Sequence, residues 1–214
     1  MVLVSHKYRF IYIKNSKVAG TSVEAYFGQY CIPPDEKYNI SEKTNEYIND
    51  YGIIGGRAIK HSNYTEWYNH ITASKIKELL KPNIFNNYLK FCIVRNPWDV
   101  AVSRYYWCKT KKTFYNYIID LDKTNFKGFK KNWDIYTIEN KPICDIYIKF
   151  ENIHNDINSL CLKLGISDFS IDKLPNYKTN IRPKDNYRDY YNTQTKNIIY
   201  KHFQCEIEYF NYIF

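Results

Sequence analysis

A lysine, a glycine and two hydroxyls stand close together in Phe10-Ile-Tyr-Ile-Lys-Asn-Ser-Lys17-Val-Ala-Gly20-Thr21-Ser22. An apolar run ends just before them and a stretch of helical spacing follows, so they occupy the turn between a strand and a helix. Unsatisfied amides at a helix N-terminus, a nearby ammonium and two hydroxyls make a site for a phosphate. The same residues also suit a purely structural end, in which Gly20 permits a turn and Thr21 caps the helix. The usual nucleoside triphosphate loop, G-x-x-x-x-G-K-[ST], puts its lysine after the second glycine. Here Lys17 precedes Gly20, which points to the far, transferable end of a nucleotide rather than to a triphosphate wrapped with magnesium.

A second constellation is Phe91-Cys-Ile-Val-Arg95-Asn-Pro-Trp-Asp99-Val-Ala-Val-Ser103. It sets a guanidinium at a strand end, with Ser103 one helical turn beyond Asp99 and facing the same way. Arginine offers planar, paired donors to a phosphate and the serine hydroxyl adds another. The competing reading is local, with Arg95 pairing to Asp99 to brace the turn.

The elements that must position these residues alternate between strand and helix. Tyr8 to Ile13 suits a buried strand, and Thr21 to about Tyr30 a helix. Pro33-Pro34 end that unit, and the polar segment from Asp35 to Ile59 carries turn signals at Gly52 and Gly55-Gly56. Thr72 or Ser74 caps a helix reaching Leu80, which Pro82 ends. Leu89 to Val94 is a strand, and Asn96-Pro97-Trp98-Asp99 starts a helix running through Trp107. Thr113 to Asn140 has no clear period. Ile143 to Phe150 reads as a strand, Ile153 to Leu164 as a helix stopped by Gly165, and Thr193 to Tyr209 as a last helix. This order predicts one α/β domain over residues 1–214, in three layers, with a central parallel sheet flanked by helices and ligands bound beyond the strands' carboxyl ends.

Composition narrows the partners. The 214 residues carry 31 Lys+Arg against 22 Asp+Glu, a formal charge of +9, so an anionic partner is expected. The basic residues are spread along the chain and no helix-turn-helix, zinc finger or RNA-binding signature appears, which argues against nucleic acid. Six cysteines lie far apart with no C-x-x-C pair and no metal-type Cys/His cluster, and read as reduced, mostly buried thiols with no metal. Nowhere do about 18 uncharged apolar residues run together, and no small-residue cleavage site follows Met1 to Ile13. A soluble, cytoplasmic protein is expected.

Taken together, the two motifs resemble the signature pair of sulfotransferases that use 3′-phosphoadenosine 5′-phosphosulfate (PAPS). Lys17-Val-Ala-Gly-Thr-Ser22 is similar to that family's 5′-phosphosulfate loop, and Val94-Arg-Asn-Pro-Trp-Asp-Val-Ala-Val-Ser103 to its 3′-phosphate site, the more specific of the two. Weaker matches follow in the right order at His70-Ile-Thr-Ala-Ser-Lys-Ile-Lys-Glu-Leu-Leu80, at Phe150-Glu-Asn-Ile through Leu164-Gly165, and at Tyr187-Arg-Asp-Tyr-Tyr191. The resemblance runs from about Phe10 to Phe214 and is closest to the compact bacterial and carbohydrate-type branch. Family loops commonly read Pro-Lys-Thr, whereas this chain has Asn15-Ser16-Lys17-Val18, with extra length between strand and lysine.

The resemblance implies a P-loop-nucleotide-hydrolase-like fold and a role for each matching residue. Lys17 would contact the sulfuryl group and the bridging oxygen, Gly20, Thr21 and Ser22 the 5′-phosphate, and Arg95 and Ser103 the 3′-phosphate. Lys178 and Arg182, in Lys178-Thr179-Asn180-Ile181-Arg182, sit where a basic loop often completes the pocket, or form a solvated basic loop. The product would be adenosine 3′,5′-bisphosphate, and the acceptor a hydroxyl of a glycan or small molecule. That hydroxyl needs a base, drawn from His6, His61, His70, His154 and His202. His70 is preferred, since it precedes a helix whose N-terminal partial charge disfavours imidazolium, and its place between the motifs resembles that of the histidine base in glycan-modifying members. His61 is its rival, and a surface or cap-bonding His70 the plainer reading. A small-molecule kinase is the competing enzyme class, with neither G-K-[ST] nor an evident magnesium carboxylate to support it. Trp98 and Trp107 are expected to pack a helix against the sheet, and Trp67 and Trp133 to fill core or line an acceptor cleft.

Overall fold

A computed structural model describes residues 1–40, 44–57, 65–167, 169–175, 177, 181–183 and 185–214. His61 and Lys178 lie outside the described residues. Along the chain run β1 (Val2–Ser5), β2 (Phe10–Ile13), α1 (Gly20–Phe27), β3 (Tyr47–Asn49) and β4 (Gly52–Ile54). Next come α2 (Ala73–Leu79), α3 (Pro82–Asn87), β5 (Leu89–Val94), α4 (Pro97–Trp107), α5 (Phe114–Lys123) and α6 (Trp133–Tyr136). A small hairpin, β6 (Thr137–Ile138) and β7 (Lys141–Pro142), precedes β8 (Ile146–Lys149), α7 (Ile153–Leu164) and α8 (Thr193–Phe210). The chain divides into two compact units, Met1–Val94 with Asp134–Tyr177, and Arg95–Trp133 with Lys178–Phe214.

The first unit holds a six-stranded sheet in the order β3-β4-β1-β2-β5-β8, flanked by helices. Only part of it is parallel. Strand β2 runs parallel to β5, with Phe10 opposite Leu89, and β5 parallel to β8, with Phe91 opposite Ile146. The other half is antiparallel: β1 pairs with β2, Val2 facing Ile13, and also with β4, which pairs with β3. The expectation of a parallel sheet is therefore corrected to a mixed one. Chain length explains the difference, because the short link from Ser5 to Phe10 allows a hairpin but no crossover. Strands β3 and β4, three residues each, fall in the polar segment that showed only turn signals.

Strands β1 and β2 are buried at every position; β2 falls inside the strand expected from Tyr8 to Ile13, whereas β1 lies ahead of it and was not foreseen. Phe10, Phe27 and Phe91 meet one another at centroid distances of 5.3 to 5.6 Å, and Tyr12 stacks on Phe91 at 5.0 Å. This aromatic core fixes α1 against β2 and β5, so it fixes the turn between β2 and α1 as well.

Local signals set most helix ends. Asn96 caps α4 by accepting from the Trp98 amide at 3.1 Å, with Pro97 in the first turn. Thr72 caps α2, and Gly165 ends α7 in the left-handed conformation at φ 71°. Pro82 stands at the start of α3, where its missing N–H costs nothing. Trp98 is buried, but its ring meets Phe214 at 5.5 Å and its indole N–H donates to the Lys196 carbonyl, and Trp107 is 45% exposed. Trp67 is core. Three cysteines, Cys31, Cys92 and Cys161, are buried, whereas Cys108 and Cys205 are exposed and Cys144 is half-buried.

Candidate functional site

In the first unit the turn between β2 and α1 is built over a buried charge cluster. Glu24 in α1 has no exposed surface. Its carboxylate receives the Lys14 ammonium, the Arg57 guanidinium at 2.7 Å and the Tyr38 hydroxyl at 3.0 Å. Two cations thus share one buried carboxylate next to the turn. The Lys14 stem passes close under the start of α1. A methyl group at position 20 would stand 3.1 Å from Lys14 Cγ and 3.1 Å from the Tyr12 hydroxyl, so glycine is there for close approach. Asn15 donates to the Ile93 carbonyl at 2.8 Å and ties the turn to the end of β5.

The backbone of this turn is bent in a way L-residues rarely adopt. Lys17 and Ala19 are both left-handed, at φ 63° and 59°. Such alternation makes a concave nest of amides, and each non-glycine residue held so costs roughly 1–3 kcal/mol. Helix α1 opens on Ala19 without a side-chain cap, so Thr21 is not the cap that the structural reading made it. The amides of Val18, Ala19, Gly20 and Thr21 donate to no acceptor among the described residues, and neither does the Thr21 hydroxyl. The Ser22 amide is already committed to the Ala19 carbonyl at 3.0 Å, and its hydroxyl accepts from the Tyr177 amide at 3.3 Å. Lys17 is half-buried.

His70 belongs to the same unit and lies against the same turn. Its Nδ1 is 3.1 Å from the Lys14 carbonyl oxygen. A carbonyl can only accept, so Nδ1 carries the hydrogen and, in the neutral ring, Nε2 is the basic nitrogen. Burial drives the Tyr12 phenol well above its ordinary value, helped by Glu24 and Cys92, so this hydroxyl stays protonated beside the turn.

In the second unit Arg95 makes the local contact foreseen for it. Its Nε and Nη2 both lie 2.7 Å from Asp99 Oδ2, and Arg182 Nη1 lies 2.5 Å from Oδ1. One carboxylate thus holds two guanidiniums. Arg95 is 7% exposed, so its pairing is little screened by solvent. Ser103, half-buried one turn along α4, has a hydroxyl with no partner among the described residues. The bracing and phosphate-binding readings of Arg95 are compatible, because pairing to Asp99 through Nε and Nη2 also orients the guanidinium.

The structure therefore gathers Lys17, Gly20, Thr21, Ser22 and His70 in the first unit, and Arg95, Ser103 and Arg182 in the second. Sequence reasoning missed Lys14, Glu24, Arg57 and Tyr38. One signal was present: Glu24 is the only charged residue from Val18 to Phe27. Among the described residues no group of His, Cys, Asp and Glu could hold a metal ion. No family model matches the chain, and no solved structure matches it. An uncharacterized protein of Archaeoglobus fulgidus is 32% identical over 117 residues, which span 53% of this chain and 93% of that protein, and the chain belongs to its family.

Proposed function

We propose that the chain is a sulfotransferase of P-loop-like α/β type, moving a sulfuryl group from PAPS to a hydroxyl of a glycan or small-molecule acceptor. The observation that carries the reading is the turn from Lys14 to Ser22, where four successive amides with no acceptor among the described residues stand next to a buried carboxylate that holds two cations. That donor set suits a phosphate or sulfate ester, and the order Lys17-Val-Ala-Gly-Thr-Ser22 is the part that favours PAPS over a nucleoside triphosphate.

Bound PAPS supplies an activated sulfuryl group on a phosphate leaving group. The amides from Val18 to Thr21 and the Thr21 and Ser22 hydroxyls hold the 5′-phosphate, and Lys17 neutralises charge that develops on the bridging oxygen. Arg95, oriented by Asp99, holds the 3′-phosphate with Ser103, and Arg182 adds a second guanidinium on the same carboxylate. His70 accepts the acceptor hydroxyl's proton at Nε2. Little covalent work is asked of the protein beyond alignment and charge stabilisation, as in phosphoryl transfer.

Titration calorimetry tests the donor class. Adenosine 3′,5′-bisphosphate should bind, with ATP plus magnesium and a single-stranded oligonucleotide binding far more weakly. Preference for ATP plus magnesium would replace this reading with a kinase, and preference for the oligonucleotide with a nucleic-acid-binding module. Incubation with labelled PAPS and a panel of acceptors, reading product mass for an added sulfuryl group, then identifies the acceptor.

A further inference from the structure

Lys14 has two attachments that the proposed transfer does not use. Its ammonium sits on the Glu24 carboxylate, and its backbone carbonyl oxygen faces His70 Nδ1 at 3.1 Å. Glu24 is in turn held from two other directions, by Arg57 at 2.7 Å and by the Tyr38 hydroxyl at 3.0 Å. The stem between these attachments is confined too, since a methyl group on residue 20 would stand 3.1 Å from Lys14 Cγ and 3.2 Å from Cε. Lys14 cannot shift without leaving a buried carboxylate short of a partner, and its carbonyl cannot shift without breaking the bond to the imidazole.

We infer that Glu24, acting through Lys14, positions His70, fixing its ring on the phosphate turn in the tautomer that leaves Nε2 to take a proton. The inference rests on His70 being the base, but the tether is a property of the first unit alone. An imidazole with no such partner exchanges between its two tautomers and samples several ring orientations, so part of its population presents N–H rather than a lone pair to the acceptor. Glu24 and Lys14 touch neither donor nor acceptor in this scheme. A solely structural cluster would give the same burial and ion pairs but would have no hold on the ring.

Full-length protein labelled with nitrogen-15 at histidine reports the tautomer directly through two-bond proton–nitrogen correlations. In the wild type, above the pH where the ring is protonated, His70 should show Nδ1 carrying hydrogen and Nε2 bare. Lys14→Met keeps the length of the stem, leaves Glu24 neutralised by Arg57 and Tyr38, and should turn the His70 signals into those of a tautomer mixture. Lys14→Arg should restore the wild-type pattern. Glu24→Gln, which keeps the shape of the anchor, is the second variant and should also give the mixture. Turnover should fall by up to about 100-fold in Lys14→Met, the scale of a displaced catalytic group, and Lys14→Arg should recover it. Unchanged His70 signals in folded Lys14→Met or Glu24→Gln overturn the tether. Failure of wild-type protein to transfer sulfuryl would instead count against the proposed function, and the spectra would still decide the tether.

Discussion

Replacing Arg95 by alanine tests the proposed 3′-phosphate contact, and its consequences can be worked out separately for folding and for binding. Arg95 contributes Nε and Nη2 to Asp99 Oδ2, both at 2.7 Å, while Oδ1 remains with Arg182 at 2.5 Å. Asp99 keeps one cation, so the cost falls short of the roughly 3–5 kcal/mol for stranding a buried charge and lies near the ~1–3 kcal/mol of an unsatisfied acceptor. For a chain of this length that corresponds to a melting temperature lower by about 2–12 °C. Binding loses a charge-assisted pair of hydrogen bonds to the 3′-phosphate, about 1.5–3 kcal/mol, or roughly 10- to 150-fold in Kd. Arg95→Lys retains charge without the planar fork and should fall between, and Ser103→Ala should cost less than either. Calorimetric titration with adenosine 3′,5′-bisphosphate, well below the variant's melting temperature, gives the affinity. Wild-type affinity in folded Arg95→Ala protein would show that the guanidinium braces the turn and does nothing else.

Lys17→Ala should lower turnover far more than it lowers affinity for adenosine 3′,5′-bisphosphate, because charge on the bridging oxygen develops only during transfer; equal losses in rate assays and calorimetry would make Lys17 an anchor alone. His70→Ala should keep bisphosphate affinity, lose roughly 100-fold or more in turnover, and abolish the acid limb of the pH–rate profile, with His61→Ala as the control; the reverse pattern moves the base to His61. A third effect concerns stability. Burial lowers the His6 pKa from 6.5, against a smaller raising effect of Asp50, and its Nδ1 lies 3.1 Å from the Tyr88 hydroxyl. The folded protein therefore binds fewer protons there than the unfolded chain, so this contribution is full above pH 6.5 and is lost as pH falls through the lowered value. Thermal melts across that window should show the loss, and His6→Asn should flatten it; identical pH profiles for the two proteins would refute the assignment.

What the sequence revealed of the fold follows from how locally each feature is encoded. Strand β5 and helix α4 were legible to the residue, because the apolar run Leu89–Val94 and the cap Asn96-Pro97 carry their signals within a few positions. So was the Gly165 stop of α7, while the cap of α2 is Thr72, one of the two candidates with Ser74. Strand β1 was not legible, since the first strand read from the sequence begins at Tyr8. Pairing of Val2 with Ile13 and of Leu3 with Ile54 is a long-range choice, and nothing in the four buried residues Val2–Ser5 distinguishes a parallel neighbour from an antiparallel one. Pro82 was read only as the end of the preceding helix, which does stop at Leu79, and its second role as the start of α3 was missed. A proline marks a helix boundary from either side, and only the residues after it show that α3 begins there.

The same division explains the site. The residues named in advance, from Lys17 to Ser22 and from Arg95 to Ser103, lie on two short contiguous segments whose chemistry is visible as a pattern of types. The residues that hold them lie elsewhere in the chain. Glu24 meets Arg57 across 33 positions, and His70 meets the Lys14 carbonyl across 56. A buried lysine in sequence looks like any of the other basic residues that produce the +9 charge. Its burial becomes intelligible only once Gly20 is seen to make room for its stem and Glu24 to receive its charge. Backbone shape was equally hidden, since Ala19 gives no hint of a left-handed conformation that glycine would adopt at less cost. That an alanine is held there, in a run of four amides with no acceptor among the described residues, indicates that the surrounding packing imposes the bend on the turn. A turn held open in this way would meet an anion without first paying to organise itself, which is what the proposed transfer of a charged group requires of it.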